Sequence, residues 1–80
     1  MMAAFVFIQM AASGGWDEMR ALHQALHAIA DVKTVHFVAG PTDVIAFVEG
    51  ADQGALAQAV GKIRGVKGVG STDTRFVWPL

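Results

Sequence analysis

The chain has 80 residues, of which 54% are hydrophobic and 16% charged, and six Lys and Arg against seven Asp and Glu leave a net charge of −1. One domain is expected over residues 1–80, and the scattered, nearly balanced charge gives no footprint for a phosphate backbone, so direct nucleic-acid binding is not expected. With no cysteine there is neither a disulfide framework nor a thiolate metal site.

The weakly charged opening, Met1 to Trp16, is broken by Gln9 and by Ser13-Gly14-Gly15. It lacks the roughly 18 consecutive apolar residues of a spanning helix and the basic start of a secretory signal, so no membrane partner is expected and the compartment is read as cytoplasmic. A chain this short buries only about 60% of its unfolded surface. Its apolar content exceeds what one small interior hides, which points to a homo-oligomer, at least a dimer, with an apolar interface.

The first element is a strand from Ala3 to Met10. Val6, Ile8 and Met10 share one face, and Phe5, Phe7 and Gln9 the other, so both faces are largely apolar. Ser13-Gly14-Gly15 is a turn cluster, and Asp17-Glu18 suits the positive end of a helix. From Asp17 to about Ala30 the period becomes helical, with Met19, Leu22, Leu26 and Ile29 on one face. A second strand runs from Val32 to Ala39. Gly40-Pro41-Thr42-Asp43 then forms the strongest turn signal in the chain, and Val44 to Glu49 completes a hairpin. Asp52 is a good N-cap for a second helix whose core face is Leu56, Val60 and Ile63, terminated by Gly65. Val66 to Trp78 supplies the last strand, best patterned from Thr72, with Pro79 marking the end of the sheet.

The order βαββαβ, with weak self-similarity between Ile29–Val35 and Ile63–Val69, predicts an α+β ferredoxin-like sandwich. It is a four-stranded antiparallel sheet with two helices on one face. Those helices cover only that face, so the other must be polar or be covered by another subunit.

Several residues invite a chemical reading. His23, His27 and Asp31 stand at i, i+4 and i+8, a spacing that matches a zinc pair with a carboxylate, although a solvated helix flank is the better account and no metal is assigned. His36, alone in the second strand, has the chemistry of a general base; a half-buried structural or interface role fits it better. Phe5, Phe7 and Phe47 invite comparison with a base-stacking sheet, but Lys and Arg are absent from the first and third strands, which favours core and interface packing. Trp16 and Trp78 read as a loop cover and a strand-end anchor.

The most informative constellation is Gly40-Pro41-Thr42-Asp43 with Ser71-Thr72-Asp73-Thr74. A glycine lets backbone N–H groups approach a ligand, a turn Asp accepts from an ammonium, and Thr72 and Thr74 share one strand face. Together these groups match the ammonium and carboxylate of an amino acid. The plainer account, a hairpin turn and threonines chosen for β-propensity, stays open at this point.

At these residues the chain resembles the effector-binding domain of the Lrp/AsnC regulators, the RAM module. The matching features are Ala4-Phe5-Val6-Phe7-Ile8, then Val32-x-x-Val35-x-Phe37-Val38-Ala39-Gly40 and Asp43-Val44-Ile45-Ala46-Phe47-Val48, followed by Gly65-Val66-x-Gly68-Val69 and Thr72-x-Thr74-x-Phe76-Val77. The resemblance covers Ala3 to Trp78 and implies a stand-alone form without the helix-turn-helix DNA-binding domain. It also implies dimers that assemble further into rings, with amino-acid effectors bound between dimers and Gly40, Thr42, Asp43, Thr72 and Thr74 lining the site. The family commonly carries an aromatic residue where Thr42 stands, a departure that bears on which ligand is held.

The expectation is therefore a non-enzymatic, oligomeric amino-acid-binding module in transcription-related or metabolic regulation, with no cofactor. Asp43 would meet the ammonium, Gly40 backbone the carboxylate, and the threonines would fix orientation. Two rivals remain. One is a dimeric α+β barrel enzyme of the cofactor-free monooxygenase or isomerase type, with a deep pocket facing His36 or another titratable group. The other is an assembly partner of full-length Lrp/AsnC regulators.

Overall fold

The computed structural model describes residues 1–11 and 15–78. Its elements are β1 (Met2–Met10), α1 (Trp16–His27), β2 (Val32–Phe37), β3 (Val44–Gly50), α2 (Gln53–Arg64) and β4 (Val69–Phe76). The strands form one sheet in the order β2-β3-β1-β4, every neighbouring pair antiparallel. This is the ferredoxin-like α+β arrangement expected from the element order. Of the turn expected at Ser13-Gly14-Gly15 only Gly15 is described, and the sheet end expected at Pro79 lies outside the described residues.

Alternation along the central strands decides which face holds the helices. Ala4, Val6 and Ile8 of β1 and Val44, Ala46 and Val48 of β3 are fully buried, and they pack with Leu22 and Leu26 of α1 and Leu56, Ala59 and Ile63 of α2. Removing each of the larger of these side chains from water contributes about 1.5–3 kcal/mol. Ala59, rather than the expected Val60, takes the middle core position of α2; Val60 is half-buried and packs at the margin. A short side chain there lets the helix approach the sheet.

The ends of the elements differ from the expected bounds for local reasons. Helix α1 stops at His27: Ala28 N–H still donates to Gln24 O at 3.1 Å, and Ile29 N–H then returns to Leu26 O at 3.1 Å, a tightened last turn. Strand β2 stops at Phe37 because Val38 N–H already closes the hairpin on Asp43 O, and Gly40 turns the chain at φ 130°. Strand β4 begins at Val69, after a turn in which Gly68 takes φ 101°. Asp52 caps α2 as expected, its carboxylate accepting from Ala55 N–H at 2.9 Å.

The opposite sheet face carries Phe5, Phe7 and Gln9 of β1. Phe5 stands opposite Phe47 and Arg75 in the register, Phe7 opposite Ile45 and Asp73, and Gln9 opposite Ser71. No described helix covers this face. Phe5 is 42% exposed, and its ring tilts against that of Phe47 at 5.0 Å between centroids.

Candidate functional site

The hairpin between β2 and β3 is fastened to the end of β1 by Asp43. The backbone N–H of Asp43 donates to Ile8 O at 3.1 Å and its carbonyl accepts from Val38 N–H at 2.9 Å, while Met10 N–H donates to carboxylate Oδ2 at 2.9 Å. The side chain thus extends the β1–β3 ladder one step past its last backbone pair. One carboxylate oxygen is committed to structure; Oδ1 has no hydrogen-bond partner among the described residues. Gly40, at positive φ with open space where a Cβ would stand, is required by backbone conformation rather than by crowding.

Gln9 joins this hairpin to β4. Its Nε2 donates to Pro41 O at 2.6 Å, and its Oε1 accepts from Ser71 Oγ at 3.1 Å. Both ends of the amide are therefore engaged, and segments some thirty residues apart along the chain are held at one place. A cavity of about 480 Å³ opens there. Thr42 lines it from the hairpin, Phe7 and Gln9 from β1, and Ser71, Thr72, Asp73 and Arg75 from β4.

Of the residues singled out in the sequence, the cavity brings together Thr42, Ser71, Thr72 and Asp73, while Gly40 and Asp43 stand beside it on the hairpin. Thr74 pairs with Val6 and Thr72 with Ile8, so their parity is that of the helix-covered face rather than of the open one. The alternate residues Ser71, Asp73 and Arg75 share the open face with Gln9, Phe7 and Phe5. Sequence reasoning missed Gln9, Phe7 and Arg75 as site residues. The available signal was parity: odd-numbered positions of both β1 and β4 face one way, which only the pairing register converts into contact.

Arg75 folds back along its strand. Its Nη2 and Nε donate to Asp73 Oδ2 at 2.9 and 3.2 Å, and its guanidinium carbon lies 5.6 Å from the centroid of the Phe7 ring. The hydrogen bond to Asp73, and then its charge, hold the guanidinium pKa above its ordinary range, so Arg75 is a fixed cation. The side chains of Arg75 and Asp73 are 68% and 57% exposed, so this ion pair is a local orienting device and not a source of fold stability.

The remaining candidates sit elsewhere. Because α1 ends at His27, Asp31 leaves the i, i+4, i+8 stripe, and among the described residues no three His, Cys, Asp or Glu converge on a metal position. His23 and His27 meet edge-on at 4.5 Å between centroids, and His23 also stacks on Phe37 at 6.0 Å. An apolar cavity of about 230 Å³ between α1 and the end of β2 uses His23 as part of its wall, with Trp16, Met19, Arg20 and Phe37. His36 is exposed on the open face opposite Ile45, rather than half-buried, and no carboxylate is hydrogen-bonded to it among the described residues. Trp16 and Trp78 are 71% and 82% exposed, so neither acts as the cover or anchor expected of it. No described helix is long and apolar enough to cross a membrane.

The family model for the Lrp/AsnC ligand binding domain matches residues 3–78. This chain belongs to that family. Among solved structures, TTHA0845 from Thermus thermophilus is 28% identical at a TM-score of 0.83, with 100% of this chain and 96% of that one covered. PHS023 from Pyrococcus horikoshii is 29% identical at 0.83, covering 98% and 90%. E. coli AsnC is similar in fold, with a TM-score of 0.83 at 18% identity, and this chain spans 53% of its length. No curated protein sequence matches the chain significantly. The family assignment accounts for the fold and for a regulatory, ligand-binding type of domain.

Proposed function

We propose that this chain is a regulatory binding module that holds an amino acid, or a similar zwitterion, where copies of the chain meet. The observation that carries the reading is the Gln9 bridge, which brings the hairpin and the start of β4 to one cavity of about 480 Å³ despite their distance in sequence. The uncommitted oxygen of Asp43 would take the ammonium and the Gly40 backbone the carboxylate. Thr42 and Ser71 would orient the ligand from the cavity wall, with Thr72 and Thr74 supporting β4 from the helix side. Gly40 and Asp43 flank the single-copy cavity, and a second copy laid against the hairpin would enclose them. Support also comes from a neighbour of the same fold, 18% identical, a transcriptional regulator from Neisseria meningitidis solved as a complex with L-Met.

Self-association rests on the open face. Phe5, Phe7, Ile45 and Phe47 form a continuous apolar strip across β1 and β3 that no described helix covers. An apolar strip of this kind favours burial against a second copy at about 25 cal/mol per Å².

A thermal-shift and calorimetric survey of the twenty amino acids tests the binding reading. A ligand at 100 times its Kd stabilises by about 2.7 kcal/mol, which moves the melting temperature of a domain this size by about 10–20 °C. No shift with any amino acid would sink it. Light scattering at micromolar concentration tests the assembly separately, and a single-copy mass would remove the shared interface.

A further inference from the structure

We infer that the free edge of β4 pairs antiparallel with the same edge of a second copy, in the register that sets Asp73 of each chain opposite Arg75 of the other and centres the two-fold axis on Thr74. The contact needs no ligand. It runs along the side of the sheet and is distinct from the open face.

β4 ends the sheet order, so one side of its backbone is unpaired. Val77 N–H donates to Ala3 O at 2.9 Å, and the register is unbroken from Ser71 to Phe76. Residues of the same parity as Val77, namely Ser71, Asp73 and Arg75, therefore turn their backbone groups toward β1. Thr72, Thr74 and Phe76 present theirs outward. The other edge, β2, is guarded: it has six residues against eight, carries Lys33 and shifts register between Val32 and Thr34. The shift along β4 lies at the Gln9–Met10 end, and Ser71–Phe76 contains neither proline nor lysine.

Charge chooses the register. Outward groups bond only outward groups, so Thr72, Thr74 and Phe76 must oppose one another. With Thr74 opposite Thr74, Thr72 meets Phe76. Asp73 then meets Arg75 on either side of the axis, at the closer, non-hydrogen-bonded positions. A slip of two residues one way sets Asp73 against Asp73, and the other way Arg75 against Arg75; like charges directly opposite are destabilising. Within one chain the Asp73 and Arg75 side chains are 57% and 68% exposed, so both are open to a strand laid alongside.

The same register covers apolar surface that a single chain leaves in water. Phe76 is 53% exposed and Val77 42%, and they would stand opposite Thr72 and Ser71 of the second copy. The helices leave room for this. α2 lies over β3, β1 and β4, about one strand in from the edge, so two α2 helices would stand about 14 Å apart across the junction. Packed helices approach to about 8–10 Å. The strands can therefore meet, and Phe76, on the same side of the sheet as Ala4, falls in the gap.

The chain has no cysteine, so single introduced thiols report the register. Pairing brings the two Cα atoms at the axis to about 5.5 Å, within disulfide reach, whereas Asp73 or Arg75 and its own counterpart stand diagonally, about 7–8 Å apart. Under mild oxidation of the full chain at micromolar concentration, Thr74→Cys should form a linked dimer at least about tenfold faster than Asp73→Cys or Arg75→Cys. Adding Asp73→Arg to Thr74→Cys should slow linking about tenfold, and adding Arg75→Asp as well should restore it to within about threefold. An equal mixture of Thr72→Cys and Phe76→Cys chains gives a second reading: the mixed dimer should exceed the two self-linked products together by about fivefold. Unchanged far-UV circular dichroism would show that each variant keeps the fold.

Linking through Asp73→Cys or Arg75→Cys as fast as through Thr74→Cys would overturn the register, and so would a charge reversal without effect. Absence of preferential linking both in Thr74→Cys and in the mixture would overturn the edge contact itself. Either failure leaves the amino-acid reading and the open-face association in place, since calorimetry and light scattering test those separately.

Discussion

Asp43 holds two roles that one pair of substitutions can separate. Its carboxylate accepts from Met10 N–H at 2.9 Å in a partly buried setting, and its other oxygen is proposed to meet a ligand ammonium. Asp43→Ala removes the acceptor and leaves a partly buried backbone N–H without a partner. Hydrogen bonds to charged groups contribute about 1.5–3 kcal/mol, and partial exposure puts this one near the lower end, about 1.5 kcal/mol. For a domain of this size that is a fall of about 6–12 °C in melting temperature. Asp43→Asn keeps a carbonyl oxygen for Met10 N–H and should cost about 0.5 kcal/mol or less. The same Asn turns its NH₂ donors toward the space the ammonium would occupy, so amino-acid affinity should drop about tenfold or more while the fold is kept. Urea and thermal unfolding at one fixed protein concentration provide the stability measurements, since association adds its own stabilisation. Calorimetry provides the binding measurement. If Asp43→Asn is as destabilised as Asp43→Ala, the charge rather than the acceptor holds β1, and the division of roles is wrong.

Three other substitutions probe the surrounding structure. In Gly70→Ala the new Cβ would stand 2.9 Å from Ala11 Cα and 3.1 Å from Gln9 O, both backbone atoms that cannot step aside, so a loss of about 1–3 kcal/mol is expected in denaturant unfolding. Gln9→Ala cuts the bridge between the hairpin and β4; stability should fall by about 1 kcal/mol, and amino-acid affinity should fall with it because the two walls are no longer held together. A cavity that binds unchanged in Gln9→Ala would mean the bridge is incidental. Phe5→Glu places a charge on the open face at a position already partly exposed, and should reduce the mass seen by light scattering while leaving the circular dichroism spectrum in place.

The fold was legible because each element states its period without conflict. Val6-Phe7-Ile8 alternates with apolar residues on both faces, Leu22 and Leu26 keep helical spacing, and Asp52 announces the second helix with a cap the structure uses. The bounds were less legible because they depend on bonds between distant segments. Val38 N–H, for instance, finds Asp43 O only once Gly40 has turned. The hairpin half of the candidate site could be read from turn chemistry. The β4 half could be read only as a segment, because Thr72 and Thr74 advertise themselves by composition, whereas the register against Ile8 and Val6 places them toward the helices and brings their neighbours Ser71 and Asp73, with Arg75, to the open face. Gln9 was hidden for the same reason: a glutamine in a strand says little until its neighbours across the sheet are known.

The proposed cavity and the proposed self-association face are not separate regions. Phe7 and Arg75 line the cavity and also belong to the open face, beside Phe5 and Phe47. A ligand that orders Arg75 therefore alters the surface a second copy would meet, and a second copy that covers Phe7 alters the wall the ligand would touch. Two binding events that share groups carry a coupling free energy, and thermodynamic linkage makes it equal in both directions. Coupling of the usual size, about 1–3 kcal/mol, changes an association constant about 5- to 150-fold. On the proposed reading the chain would need no moving domain to turn ligand concentration into assembly, because β1 would belong both to the wall of the binding site and to the face that meets a second copy. Such a coupling would join the proposed binding site to a regulatory role in a chain of 80 residues.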